Sequence, residues 1–176
     1  RRGDRDYEID GLVIKANELP ARESLGFTGH HPRWAIAFKF EAPEAESVVE
    51  NIEVQVGRTG RITPVARIKP VLLSGSTISN ATLHNQDYVD LLELAIGDRV
   101  SVSKRGDVIP AVERVVEKNE AGSPTWKMPQ TCPSCGRGLS RRGAHQFCPN
   151  PSCPDQVRGR IRFFVGRNQM DIDNLG

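Results

Sequence analysis

The sequence predicts a multidomain, mainly β chain: a five-stranded barrel with one helix, preceded by strands of a separate domain and followed by a small four-cysteine module. Residues 52–116 alternate apolar and polar side chains in short runs broken by turn residues, with one interruption of helical period. All four cysteines fall between 132 and 153, in two close pairs. Two segments before residue 43 share an unusual design, an apolar face opposed by a face of small residues that ends in a lysine.

Composition sets the bounds. A chain of 176 residues, 38% hydrophobic and 26% charged, is ordinary for a soluble globular protein of one large or several small domains. It has no long apolar run and no charged leader followed by an apolar stretch, so neither a membrane span nor a signal peptide is expected. The chain begins at Arg1 without a methionine and stops inside what reads as a motif, so it is expected to be an excised fragment. The net charge of +2 hides an asymmetry: residues 1–125 carry 16 basic against 19 acidic groups, and residues 126–176 carry 8 against 3. The basic end is the part suited to a polyanion.

In the first domain, Trp34, Ile36, Phe38 and Phe40 fall on one face of a strand and are expected in a core, while Ala35, Ala37 and Lys39 fall on the other. Gly11, Val13 and Lys15 repeat the small face. Side by side, the two strands make a floor for a flat nucleotide with a cationic post on each, although either lysine alone reads more readily as a solvated strand end. A loop holding Pro20, Gly26, Gly29 and His30-His31 joins them, the histidines taking a structural or solvent role.

Pro43 to Glu50 is acidic and reads as a connector. Ile52, Val54 and Val56 then alternate into the turn Gly57-Arg58-Thr59-Gly60, and Ile62, Pro64, Ala66 and Ile68 continue on a second strand, in which Pro64 needs an edge or bulge. A third strand fits Thr77 to Ser79. Tyr88, Leu91, Leu92 and Ala95 have helical spacing, with Asn85 as N-cap and Gly97 as the stop. Strands at Val100 to Ser103 and Val108 to Val116 follow, separated by Lys104-Arg105-Gly106-Asp107. Three strands, a helix and two strands is the order of an OB-fold, a barrel that commonly binds oligonucleotides, although other small barrels share it. Arg58, Thr59 and Arg61 at one turn, and Lys104 and Arg105 at another, are the expected contacts to a phosphate backbone.

Ala121 to Pro129 is rich in Gly, Ser and Pro and reads as a linker. Beyond it, Cys132 and Cys135 are followed after twelve residues by Cys148 and after four more by Cys153. Two such pairs offer the tetrahedron of soft ligands that structural Zn2+ prefers, and Gly136 permits the positive dihedral of the first knuckle. Four thiolates close the shell, leaving His145 beside it or at the surface and no open position for catalysis. The module is expected to fold on its metal independently of the barrel. Val157, Ile161, Phe164 and Val165 then suggest an amphipathic helix among Arg158, Arg160 and Arg162.

Glu8 to Lys15 and Pro32 to Phe40 resemble the fourth and fifth nucleotidyltransferase motifs of bacterial NAD-dependent DNA ligases. Val56 to Gly60, Ala81 to Asn85 and Gly106 to Pro110 are similar to that family's OB-domain pattern, and Ile172 to Gly176 resembles the opening of a helix-hairpin-helix DNA-binding motif. The resemblance implies an adenylation-domain end at 1–43, an OB-fold at 44–120, a linker and zinc finger at 121–155, and the start of a helix-hairpin-helix domain at 156–176. It implies that Lys15 and Lys39 contact the adenylate phosphate of NAD, that Asp10 supports the active site, and that Arg2 matches an arginine before the fourth motif. For the intact enzyme it implies a monomer in the bacterial cytoplasm, joining 3'-hydroxyl and 5'-phosphate ends of nicked double-stranded DNA in replication and repair. Enzyme-adenylate and DNA-adenylate are its intermediates, with Mg2+ or Mn2+ assisting. The nucleophile belongs in a Lys-Xaa-Asp-Gly motif, which this chain lacks, so the isolated chain is expected to be inert. Rival readings are an ATP-dependent ligase or capping enzyme, against which the Gly57 to Gly60 turn and the cysteine module speak, and a non-catalytic OB-fold plus zinc-ribbon DNA-binding module, which has no use for a nucleotide floor.

Overall fold

The computed structural model describes residues 9, 11–40, 43–105 and 109–174, with the Arg105 side chain left aside. Asp10, Arg2, the Gly106-Asp107-Val108 turn and the end of the proposed helix-hairpin-helix opening lie outside the described residues. The chain forms two compact units, residues 1–42 and 43–176.

In the first unit, β1 (Gly11–Lys15) and β2 (Ala35–Lys39) pair antiparallel, Gly11 opposite Lys39, Val13 opposite Ala37 and Lys15 opposite Ala35. Directly paired residues share a face, so the small face forms as the sequence anticipates. The opposite face departs from expectation. Ile36 and Phe38, assigned to a core, are 66% and 59% exposed, as are Leu12 and Ile14 at 53% and 62%. Two strands offer no second layer of their own. The connection is also more than a loop, because it contains helix α1 (Leu19–Leu25). Arg22 of that helix lies over the Trp34 ring at 4.9 Å, and Phe27 meets the same ring edge-on.

In the second unit, β3 (Glu44–Val56), β4 (Arg61–Leu73), β5 (Ser76–Thr82), β6 (Arg99–Arg105) and β7 (Ile109–Glu117) close a barrel in the order β3-β4-β5-β7-β6, with β6 returning to β3. This is the OB-fold. Its seam is narrow: among the described residues β5 and β7 run parallel and meet at a single pair, Thr82 and Ala111.

The acidic stretch read as a connector is the first half of β3 and pairs with β6 from Glu44–Ser103 to Val48–Arg99. Ser47 and Val49 are buried before a bulge at Val49/Asn51, and Ile52 is buried after it. One extra residue switches the inward phase from odd to even positions, which hides a long strand from a period-two reading. Pro64 sits where β4 changes partner, after β9 (His145–Phe147) pairs with Arg61 and Ile62 and before β5 begins opposite Val65.

Helix α2 (Gln86–Leu92) starts as expected, with Asn85 Oδ1 accepting from the Tyr88 N–H at 2.8 Å. It ends before Gly97: Glu93 turns left-handed at φ 50°, and Leu94 and Ala95 drop into the core. Asp98 fastens this corner. It is fully buried, one oxygen accepting from the Ala95 N–H and the other from the Asn119 backbone and side chain, with Lys118 at 3.4 Å. Burial pushes its carboxyl up, but the Asn119 amide, the two backbone N–H groups and Lys118 together hold it below the ordinary value of 3.8.

The stretch read as a linker is a strap on the barrel. The Trp126 N–H donates to the Leu94 carbonyl, while the Gln86 amide donates to the Trp126 carbonyl and accepts from the Met128 N–H, as a strand neighbour would. The Trp126 ring packs against both apolar clusters of the unit.

Candidate metal centre and nucleic-acid interface

Beyond the strap, β8 (Ser140–Arg142) and β9 form a hairpin, and helix α3 (Pro154–Val165) follows. The Gly136 N–H returns to the Cys132 carbonyl with Gly136 at φ 73°, and the Cys153 N–H returns to the Asn150 carbonyl. These two tight turns bring the four sulfurs within 4.8 Å of one another. Cys132 and Cys153 stand 3.9 Å apart, Cys135 and Cys148 3.5 Å apart, and all four cysteines are free of disulfides. Thiolates at about 2.3 Å from a tetrahedral zinc ion stand about 3.8 Å apart, so the cluster has the dimensions of that shell. Burial pushes the Cys132 thiol up to about 12, whereas the Arg137 backbone N–H leads the groups drawing Cys135 down to about 6. Four thiolates in this pocket therefore need a cation to hold them. His145 lies on β9 opposite Arg142, outside the cysteine cluster.

The module does not stand alone, contrary to the expectation of an independent finger. β9 extends the barrel sheet along β4, and the Cys148 N–H donates to the Gly60 carbonyl at 2.8 Å. A Cβ at Gly60 would lie 2.5 Å from the Cys148 carbonyl oxygen, and Gly60 adopts φ +83°. Ile62 is fully buried with Cys132, Cys148 and Cys153, and Val54, Val56, Met128 and Trp126 pack around them. The apolar residues expected to seat α3 are mostly outward: Val157, Ile161 and Phe164 are 36%, 55% and 55% exposed, while Gln156 and Val165 are buried. The helix rests instead on Gln156, which donates to the Cys148 and Asn150 carbonyls. Sequence periodicity missed this contact because its anchor is polar.

Of the expected phosphate contacts, Arg58 and Thr59 occupy the exposed turn between β3 and β4, with Arg61 exposed at the start of β4. Lys104, expected on a turn, lies within β6 opposite Pro110 and is only 9% exposed, because β6 runs on through Arg105. In the other unit, Lys15 and Lys39 share the small face at opposite ends of the ribbon, four residues apart in register, about 13 Å along the strands. A side chain at Gly11 would come within 2.6 Å of the Phe38 carbonyl oxygen, so the ribbon is close-set at the Lys39 end.

A closed OB barrel continued by a four-cysteine ribbon defines the class of the larger unit, an OB-fold with a built-on module whose cysteines have the dimensions of a metal shell. Residues 46–124 match the family model of the NAD-dependent DNA ligase OB-fold domain, and residues 1–43 match that of the NAD-dependent DNA ligase adenylation domain. A DNA ligase of Borrelia garinii subsp. bavariensis is 53% identical over 175 residues, one of Leptospira interrogans is 50% identical over 172, and DNA ligase 2 of Deinococcus deserti is 47% identical over 178. These alignments take in 97–99% of the chain and 25–26% of each relative, so the chain spans about a quarter of the length of the relatives it matches. The chain belongs to the NAD-dependent DNA ligase family.

Proposed function

We propose that this chain supplies the phosphate-gripping strands and the DNA-gripping barrel of an enzyme that seals nicks in double-stranded DNA, using NAD as the adenylate donor, in replication and repair. The observation that carries this reading is the register of β1 and β2, which sets Lys15 and Lys39 on one face of small residues. A flat adenine ring fits such a face, and an ammonium at either end neutralises phosphate charge as it shifts during adenylate transfer. NAD supplies the adenylate when bound. Asp10 is assigned to the same site by its match to the family's fourth motif. The cysteines hold a structural zinc ion, whose contribution is to fold the ribbon against the barrel. Mg2+ or Mn2+ is expected with the nucleotide phosphates; among the described residues the metal-sized donor cluster is that of the cysteines.

Arg58 and Thr59 are the proposed DNA contacts, with Arg105 at the end of β6 as a further one and Lys104 drawn into the strand as a lesser one. The enzyme works as a monomer in the bacterial cytoplasm, a setting that suits four free thiols. None of the lysines here precedes Xaa-Asp-Gly, and a floor without an attacking amine forgoes the roughly 7–11 kcal/mol that positioning contributes. Incubated with Mg2+ and NAD labelled in its adenylate half, the chain should therefore acquire no acid-stable label and seal no nick. Stoichiometric labelling of Lys15 or Lys39 would reverse their assignment from phosphate grip to nucleophile.

A further inference from the structure

The exposed arginines of the barrel are not alike. Arg67, Arg99 and Arg114 each meet a glutamate, at 2.9, 3.5 and 2.9 Å. Arg58 has no carboxylate partner among the described residues; its guanidinium lies 3.8 Å from the centre of the Phe163 ring, on α3. Behind it the fit is tight, since a Cβ at Gly159 would lie 3.0 Å from both Cα and Cβ of Arg58. Gln156, Gly159 and Phe163 follow one another at three and four residues, so one stripe of α3 holds the cysteine knuckle, the turn backbone and the guanidinium in turn.

From this we infer that Phe163 and Gly159 are positioning residues for the turn's DNA contact. They hold Arg58 in a single pose in which its charge is not cancelled. A guanidinium stacked on a ring gives up one face and keeps its in-plane N–H groups, the ones that bind phosphate. A free arginine at the tip of a turn loses rotamer entropy when it grips a phosphate, and the ring and the glycine cleft remove part of that loss beforehand. Residues more than a hundred positions away in sequence thus prepare the contact. The inference rests on the reading of Arg58 as a DNA contact.

The test is fluorescence anisotropy of a labelled nicked duplex against the zinc-loaded chain over a salt series. Arg58→Ala should flatten the slope of log affinity against log salt by about one unit, the loss of one phosphate contact. Phe163→Leu, which keeps apolar cover and removes the ring, should flatten it by about half a unit or more, Phe163→Tyr should restore it, and Phe163→Leu should add nothing in an Arg58→Ala background. Gly159→Ala should act as Phe163→Leu does. Equal weakening by Phe163→Leu with and without Arg58 would show that the ring acts elsewhere and would overturn the inference. So would an unchanged slope in Phe163→Leu while Arg58→Ala flattens it. If Arg58→Ala itself changes nothing, the assignment of the turn as a DNA contact falls, and the positioning role falls with it. Zinc stoichiometry and melting temperature, measured on each variant, separate these outcomes from unfolding.

Discussion

Loss of the metal should destabilise the barrel as well as the ribbon. Cys135→Ser removes one ligand of the shell, and without the ion the two knuckles have little else to hold them. β9 then leaves β4, the Cys148–Gly60 hydrogen bond goes, and Ile62 and Met128, 0% and 8% exposed, lose their cover on the cysteine side. Fully uncovering two such side chains costs about 3–6 kcal/mol at the usual 1.5–3 kcal/mol each. That is comparable with the whole stability of many domains, about 5–15 kcal/mol. At roughly 3–5 °C per kcal/mol, full exposure would lower the barrel's melting temperature by about 10–30 °C, and the one-sided loss of cover should lower it by several degrees at least. Calorimetry on the zinc-loaded chain and on Cys135→Ser measures this, with Trp126 fluorescence in a Trp34→Phe background following the second unit alone. A barrel transition at an unchanged temperature, beside a ribbon already unfolded, would refute the coupling and restore the independent finger that the cysteine spacing suggests.

Asp98→Ala should lower stability by about 2–4 kcal/mol, because it leaves buried N–H groups of Ala95 and Asn119 unpaired, and urea unfolding should show a lower midpoint with an unchanged slope. The Asp98 carboxyl sits below its ordinary 3.8, so its stabilisation is complete above that value and fades as pH falls through the lower folded value; the variant should lack this acid-side loss. Gly60→Ala forces an alanine into a left-handed conformation, about 1–2 kcal/mol before the collision with the Cys148 carbonyl is counted, and should weaken zinc retention in a competition titration with a chromophoric chelator.

How much of this was legible in the sequence depends on what carried each signal. The barrel order could be read because its inward positions are filled by Val, Ile and Leu, whose alternation is strong, and the cysteine cluster because four thiols in two tight turns have few other uses. The first half of β3 was hidden because its inward residues are Ala45, Ser47 and Val49, too small or polar to stand out between glutamates. Gly97 misled for the opposite reason: a residue suited to ending a helix was used at φ +96° in the next turn, and Glu93 took the left-handed cap. The strap on the barrel is held by backbone groups, one glutamine amide and only two apolar side chains, Trp126 and Met128, which make no hydrophobic period. At the candidate site, residue type singled out the lysines and Arg58 as candidates, but the ring beneath Arg58 and the withdrawal of Lys104 are tertiary facts.

The single β5–β7 pair that closes the barrel also sets where the wall is thinnest. A cylinder held all round by long antiparallel ladders resists deformation evenly; among the described residues this one is joined between β5 and β7 only at Thr82 and Ala111, next to His84 in a left-handed conformation at φ 59°. Fewer ladder pairs hold this seam than hold any other two neighbouring barrel strands among the described residues, so local opening there is expected at the low end of the unit's free-energy range. The firm side of this clasp is the long β3–β4 ladder, which β9 extends along β4 beside the Arg58 turn.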